Sequence, residues 1–185
     1  ENLREVKPHF FTCVPRLLEK VYERIMSKGL ELKGIKRALF FWAVRLGERW
    51  ENQKNMGAWY HFQLRMARNV IFSKWVEALG GNVFAICSGS APLNAKIGSV
   101  FTAAGIVIME GYGLTESSPV ITVNHFDTRK NILGTVGIVV DGVEVKIAED
   151  GAILARGKHI MVGYYKLPEE TAKTIDAEGW LHTGD

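Results

Sequence analysis

An α/β fold, with a parallel sheet and flanking helices followed by a small β-rich part, is predicted by three features of this sequence. Residues 83–87 and 106–109 are short, continuous apolar runs, the pattern of strands buried on both faces. Between them Pro92 and Asn94 open a helical stretch that Gly105 closes, so strand, helix and strand follow in the order of a right-handed parallel unit. After about residue 128 the pattern changes to short alternating runs separated by turn residues. We therefore expect residues 1–127 to form the α/β part and residues 128–185 the β-rich part.

The elements can be justified in order. Residues 9–14 are apolar and β-prone, and Pro15 then suits the first turn of a helix. Leu17, Leu18, Val21, Tyr22, Ile25 and Met26 recur at helical spacing, and Gly29 is the expected stop. A second helix is predicted over 33–51, with Ile35, Leu39, Trp42, Ala43, Leu46 and Trp50 on its apolar stripe. A third is predicted over 57–79, with Trp59, Phe62, Met66, Val70 and Leu79 marking the apolar side, before Gly80-Gly81. These aromatic stripes read as core. Residues 143–147 and 153–156, joined through Glu149-Asp150-Gly151, read as a hairpin. Pro168-Glu169-Glu170-Thr171 opens a short helix with acids in its first turn, and Trp180-Leu181-His182 reads as a last strand.

Composition narrows the function classes. The apolar fraction of 47% can build a core, and no apolar run approaches the roughly 20 residues of a membrane-spanning helix. No secretory leader opens the chain, which fits a cytoplasmic protein. Cys13 and Cys87 sit in apolar runs and are expected as buried, reduced thiols, and no Cys/His spacing suggests zinc. Net charge is +3, yet residues 33–75 hold nine Lys or Arg against two acids, Glu48 and Glu51. Such a segment is either a solvated helix face or a contact for phosphates at the inner face of a membrane. No nucleic-acid motif and no regular basic–aromatic interleaving is present, so nucleic acid is not expected as a partner.

Three loops carry the chemistry. In Gly111-Tyr112-Gly113-Leu114-Thr115-Glu116, two glycines flank an aromatic ring that either anchors a turn or stacks on a flat base. Thr115 and Glu116 suit either a helix N-terminus or a phosphate oxygen and a Mg²⁺ ion. Gly89-Ser90-Ala91-Pro92, after Ser88, is either an ordinary strand-to-helix turn with Pro at N1 or a small-residue edge for a purine. Asp185, after Thr183-Gly184, presents a carboxylate at a glycine turn that can accept a sugar diol. The first two loops follow the carboxyl ends of predicted parallel strands, where ligands of such sheets bind.

Taken in that order, these loops resemble the adenylate-forming (AMP-binding) ligase superfamily. Val14-Pro15-Arg16-Leu17-Leu18-Glu19-Lys20-Val21-Tyr22, and Val70-Ile71-Phe72-Ser73-Lys74 with Leu79-Gly80-Gly81, resemble its long-chain fatty-acid–CoA ligase branch. The resemblance covers residues 8–185. It implies ATP, Mg²⁺ and CoA, and a long-chain fatty acid that is adenylated and then transferred to the CoA thiol. It implies roles by motif: Gly89, Ser90, Ala91, Pro92, Gly111, Tyr112 and Gly113 around adenine, Thr115 at phosphate, Glu116 on Mg²⁺ and Asp185 on ribose. Ser90 stands where the family often has glycine.

Two pieces of such enzymes are not found in these 185 residues: a Ser/Thr/Gly-rich phosphate loop with its Lys, and a small C-terminal domain with a catalytic Lys. The chain is thus expected to be an internal fragment, inactive by itself and prone to self-association through an uncovered apolar face. Asp185, as the last residue, is expected to fray. The alternatives are an adenylating ligase for aryl, shorter-chain or amino acids, and a non-catalytic nucleotide-binding scaffold.

Overall fold

The computed structural model describes residues 2–185. It is a mixed α/β structure with parallel strands and flanking helices, as the sequence predicts, and it divides into two compact units. Residues up to 110 with 124–135 form the first, and residues 111–123 with 136–185 the second.

In the first unit, α1 (Asn2–Val6) leads to β1 (Phe10–Cys13) and the long α2 (Pro15–Glu31). Pro15 occupies the first helical turn, where its missing N–H costs no hydrogen bond. Gly29 does not stop α2. A Cβ at position 29 would overlap the Phe40 ring, so this glycine lets α2 lie close to α3 (Gly34–Glu48). The next helix differs from the single one expected over 57–79. It runs as α4 (Ala58–Ala67), a π-helical turn at Arg68–Phe72, and α5 (Ser73–Ala78).

Its buried side also differs from expectation. Tyr60, Leu64, Ala67, Phe72, Trp75 and Leu79 enter the core, while Trp59, Phe62, Met66 and Val70 are exposed, Trp59 to 70%. Both sets recur at helical spacing, so periodicity alone cannot choose between them. Polar anchoring decides it: the Tyr60 hydroxyl donates to the Leu46 carbonyl at 2.6 Å, and Arg68 Nε donates to the Ala103 carbonyl at 2.7 Å. The π turn then resets the helix phase so that Phe72 and Trp75 pack edge-to-face, 5.0 Å between centroids. On α3, likewise, Ile35 and Leu39 face outward, and Phe40, Ala43, Val44 and Leu46 are buried.

Strand β2 (Ala85–Ser88), α6 (Ala95–Ala104) and β3 (Val107–Tyr112) form the predicted strand–helix–strand unit. Within the first unit the strand order is β1-β2-β3, all parallel, with Cys13 opposite Ser88 and Ser88 opposite Glu110. Cys13 and Cys87 are free and half-buried rather than fully buried. Burial, with Cys87 nearby, pushes the Cys13 thiol up to about 11. α6 packs on α3, where Gly47 lets Val100 approach closely. Segment 124–135 is bound here by buried amides. Asn131, fully buried, donates to the carbonyls of Ile108 and His125 and accepts from Asn52, which in turn accepts from the Trp50 indole.

In the second unit, the end of β3 pairs antiparallel with β4 (Thr122–Val123), and β4 with β5 (Ile138–Val139). A second sheet, also antiparallel, has the order β6 (Val143–Ile147), β7 (Ile153–Gly157), β8 (Leu181–His182). The expected hairpin is β6–β7, in register from Val143↔Gly157 to Ile147↔Ile153. Two cations lie over the Trp180 ring, Lys146 Nζ at 4.1 Å and the Arg156 guanidinium at 4.4 Å from its centroid. Helix α7 (Pro168–Thr174) begins at Pro168 as expected.

Candidate functional site

In the first unit, the loop after β2 is held at both ends. Gly89 N–H donates to the Cys13 carbonyl at 3.1 Å, extending the β1–β2 pairing by one residue. Leu93 is buried, and its N–H donates to the Glu110 carboxylate at 3.1 Å. The other Glu110 oxygen accepts the Gly134 N–H at 2.9 Å, so one buried carboxylate ties two loops to the end of β3. Ser90, Ala91 and Pro92 between these anchors are exposed. Ser90 has φ +74°, the left-handed region that favours glycine. The helix that follows begins with Asn94 as N-cap, its side chain accepting from Lys96 N–H, so Pro92 lies outside α6 rather than at its first position. The Ser88 hydroxyl is buried and has no hydrogen-bond partner among the described residues.

In the second unit, the Gly111–Glu116 loop is built by close approach. A Cβ on Gly113 would run into the Pro119 carbonyl, so only glycine fits there. Ser117, fully buried, accepts the Leu114 N–H at 2.9 Å and lies 2.9 Å from both the Leu114 and Pro119 carbonyl oxygens. Those bonds hold the 3₁₀ turn Thr115–Ser117. Leu114 is the residue before the turn, so Thr115 is not its cap, and Thr115 is exposed.

Two pairs of side chains meet in this unit. The Tyr112 hydroxyl donates to the Asp185 carboxylate at 2.5 Å. Burial first, and that bond second, raise the Tyr112 phenol above its ordinary value. The Tyr164 hydroxyl donates to Glu116 Oε1 at 2.8 Å, and Met161 N–H donates to the Glu116 carbonyl, also at 2.8 Å. The Glu116 carboxylate is held below its ordinary range by its own N–H and then by Tyr164. A cleft of about 200 Å³ is lined by Leu114, Glu116, Tyr164, Thr174, Leu181, His182 and Thr183.

Asp185 is tied through its backbone. Its carbonyl accepts the Ile153 N–H at 3.0 Å, and Thr183 bonds the Ile153 carbonyl through both N–H and hydroxyl. Gly184, at φ +84°, makes the turn between those contacts. Tyr164 and Glu110 carry no local sequence signal for a site. Tyr164 lies outside any periodic element, 48 residues from its partner, and Glu110 reads as the tail of an apolar strand. An ionised carboxylate next to an exposed hydroxyl suits Mg²⁺, which takes one or two protein carboxylates and completes its shell from phosphates and water.

Comparison with known proteins identifies a family for the chain. Residues 1–165 match the AMP-binding enzyme family. The chain is 34% identical, over its whole length, to the long-chain-fatty-acid–CoA ligase ACSBG2 of Homo sapiens, of which it covers 28%. It is 35% identical, over 97% of its length, to the long-chain-fatty-acid–CoA ligase FadD15 of Mycobacterium bovis, covering 30% of that protein. It thus spans less than a third of either relative. Among solved structures, the adenylation domain of a carboxylate reductase from Mycobacterium chelonae covers all of this chain at TM-score 0.63 and 21% identity, with 26% of that chain aligned, which is a likeness of fold. With a family match over most of its length, the chain belongs to the AMP-binding enzymes.

Proposed function

We propose that this chain is part of an ATP-dependent long-chain fatty-acid–CoA ligase. In the first step the fatty-acid carboxylate attacks the α-phosphorus of ATP and displaces pyrophosphate, leaving an acyl-adenylate. In the second the CoA sulfur attacks the acyl carbon, AMP leaves, and the thiol proton passes to solvent. The observation that carries the reading lies in the second unit: an exposed Thr115 beside an ionised Glu116, with an aromatic ring tied to a carboxylate, Tyr112 to Asp185. The names of the relatives support the choice of acid.

On this reading Gly111 and Gly113 of the second unit offer backbone to adenine and Tyr112 stacks on it; Gly89, Ser90, Ala91 and Pro92 of the first unit are the small-residue edge that the resemblance assigns to a purine. Asp185 accepts from the ribose hydroxyls and Thr115 donates to phosphate. Glu116 is the magnesium ligand. Magnesium, when bound, neutralises charge on the phosphate oxygens. An ionised Glu116 with its plane fixed is suited to that task at neutral pH. The family match names no acid, so a different carboxylic acid is the second reading. The basic, aromatic-bearing helices of the first unit support a further partner, an anionic membrane surface that would supply the fatty acid.

The test is fatty-acid-dependent ATP–pyrophosphate exchange by the intact ligase, across acids from acetate to oleate, with the 185-residue chain alongside. Exchange with long acids only, and none from the chain alone, is the expected result. Exchange confined to short or aryl acids would move the substrate and keep the family. Absence of exchange from a folded ligase that binds ATP would favour a scaffold.

A further inference from the structure

We infer that Tyr164 is a positioning residue for Glu116, setting the direction in which that carboxylate presents itself to a metal–nucleotide complex. The inference rests on the reading of Glu116 as magnesium ligand and adds a residue to it. Tyr164 lies between β7 and α7, in a stretch with no strand or helix of its own. Its hydroxyl donates to Glu116 Oε1 at 2.8 Å across 48 residues of sequence. A hydrogen bond to one carboxylate oxygen fixes the plane of the group and so the direction of the other oxygen. Ligating carboxylates commonly depend on such outer partners.

The tyrosine is itself held. Its N–H donates to Thr171 Oγ1 at 2.9 Å, and that hydroxyl bonds the Leu167 carbonyl at 2.9 Å. Gly163, at φ +151°, allows the approach: a Cβ there would sit 2.8 Å from Thr171 Cγ2. The same stretch holds the backbone of Glu116 through Met161 N–H. Segment 161–164 therefore grips Glu116 at its carbonyl and at its carboxylate. Both partners line the cleft described above.

The test uses the intact ligase, with Mn²⁺ as the metal probe and α,β-methylene-ATP as the nucleotide. Electron paramagnetic resonance then reads the Mn²⁺ dissociation constant of the ternary complex. Tyr164→Phe keeps the ring and removes one oxygen; it should weaken Mn²⁺ about ten-fold, the usual size of such an effect. Its melting temperature and its metal-free affinity for the nucleotide should stay at the parent values. Thr171→Val, which loosens the support of Tyr164 and leaves the phenol in place, should shift Mn²⁺ in the same direction by a smaller factor, and serves if Tyr164→Phe does not fold. Glu116→Gln is the reference. If it weakens Mn²⁺ while Tyr164→Phe and Thr171→Val do not, Tyr164 is only structural and the inference is overturned. If Glu116→Gln leaves Mn²⁺ unchanged, the reading of Glu116 itself falls, and the inference with it.

Discussion

Tyr112 and Asp185 are joined by a 2.5 Å hydrogen bond across 73 residues of sequence. The bond links the last residue of β3 to the turn after β8; on the function proposed above, these would supply the aromatic face and the diol acceptor for a nucleoside. A carboxylate has about four acceptor positions, so Asp185 can keep the phenol and still take sugar hydroxyls. On that reading the bond would preorganise the pair rather than block it. Tyr112→Phe in the intact ligase should raise KM for ATP about 3- to 10-fold, the worth of one charge-assisted bond at a partly exposed site, and change kcat by less than about two-fold. Asp185→Ala, which loses both the tie and the acceptor, should raise KM further. Steady-state kinetics on both variants checks the order.

Ser90 holds a backbone that suits glycine, with φ +74°. A left-handed conformation costs an L-residue about 1–2 kcal/mol, and the added freedom of a glycine in the unfolded chain returns about 0.4–1 kcal/mol of that. Ser90→Gly should therefore stabilise by about 0.5–1 kcal/mol. Ser90→Val, β-branched and worse in this region, should destabilise by about 1 kcal/mol or more. Urea denaturation of the three proteins reads the difference. Equal midpoints would show that the loop relaxes freely.

Much of this was legible in the sequence, for physical reasons. Strands β2 and β3 and the β6–β7 hairpin announce themselves because burial on both faces or on one leaves a clear apolar pattern. Gly113, Thr115 and Glu116 stood out because a loop built on close backbone approach needs glycine. What was hidden has equally definite causes. Which of two helical stripes on α4 turns inward depends on the Tyr60 and Arg68 anchors, both long-range bonds. Gly29 reads as a helix end because sequence cannot show the Phe40 ring lying against it. Tyr164 and Glu110 act through contacts at separations of 48 and 17 to 24 residues, beyond any local pattern.

Four of the five tyrosines, Tyr22, Tyr60, Tyr112 and Tyr164, have phenols pushed above the ordinary value of 10, Tyr60 to about 12. Burial leads for Tyr22, Tyr60 and Tyr112, and the bond to Glu116 leads for Tyr164. At Tyr60, where burial raises the phenol furthest, the raised group adds stability that is fully present below the unfolded value near 10. That stability is lost as pH rises through the higher folded value. Absorbance at 295 nm should therefore show those four ionising above pH 10, with unfolding as Tyr60 titrates near 12. Four phenols titrating together at pH 10 in a folded chain would contradict the buried and hydrogen-bonded placements.

The outward stripe of α4 and the π turn sets a last test. Trp59 and Phe62 are stacked at 5.6 Å between ring centroids, and Met66 and Val70 continue the line; all four are about half exposed or more. From residue 52 to residue 76 there is no acidic side chain, while Lys54, Arg65, Arg68 and Lys74 are basic. No helix among the described residues is long and apolar enough to cross a membrane. Aromatic side chains among cations suit the headgroup boundary of an anionic bilayer. The intact ligase should co-sediment with vesicles containing about a third anionic lipid and release in about 1 M salt, where charge attraction is screened beyond roughly 3 Å. Trp59→Ser with Phe62→Ser should weaken binding several-fold at low salt without lowering the melting temperature, because neither side chain is in the core. Binding that the double variant leaves intact would take the membrane away from this stripe. A concentration-dependent dimer abolished by the same variant, with no vesicle binding, would assign the stripe to self-association.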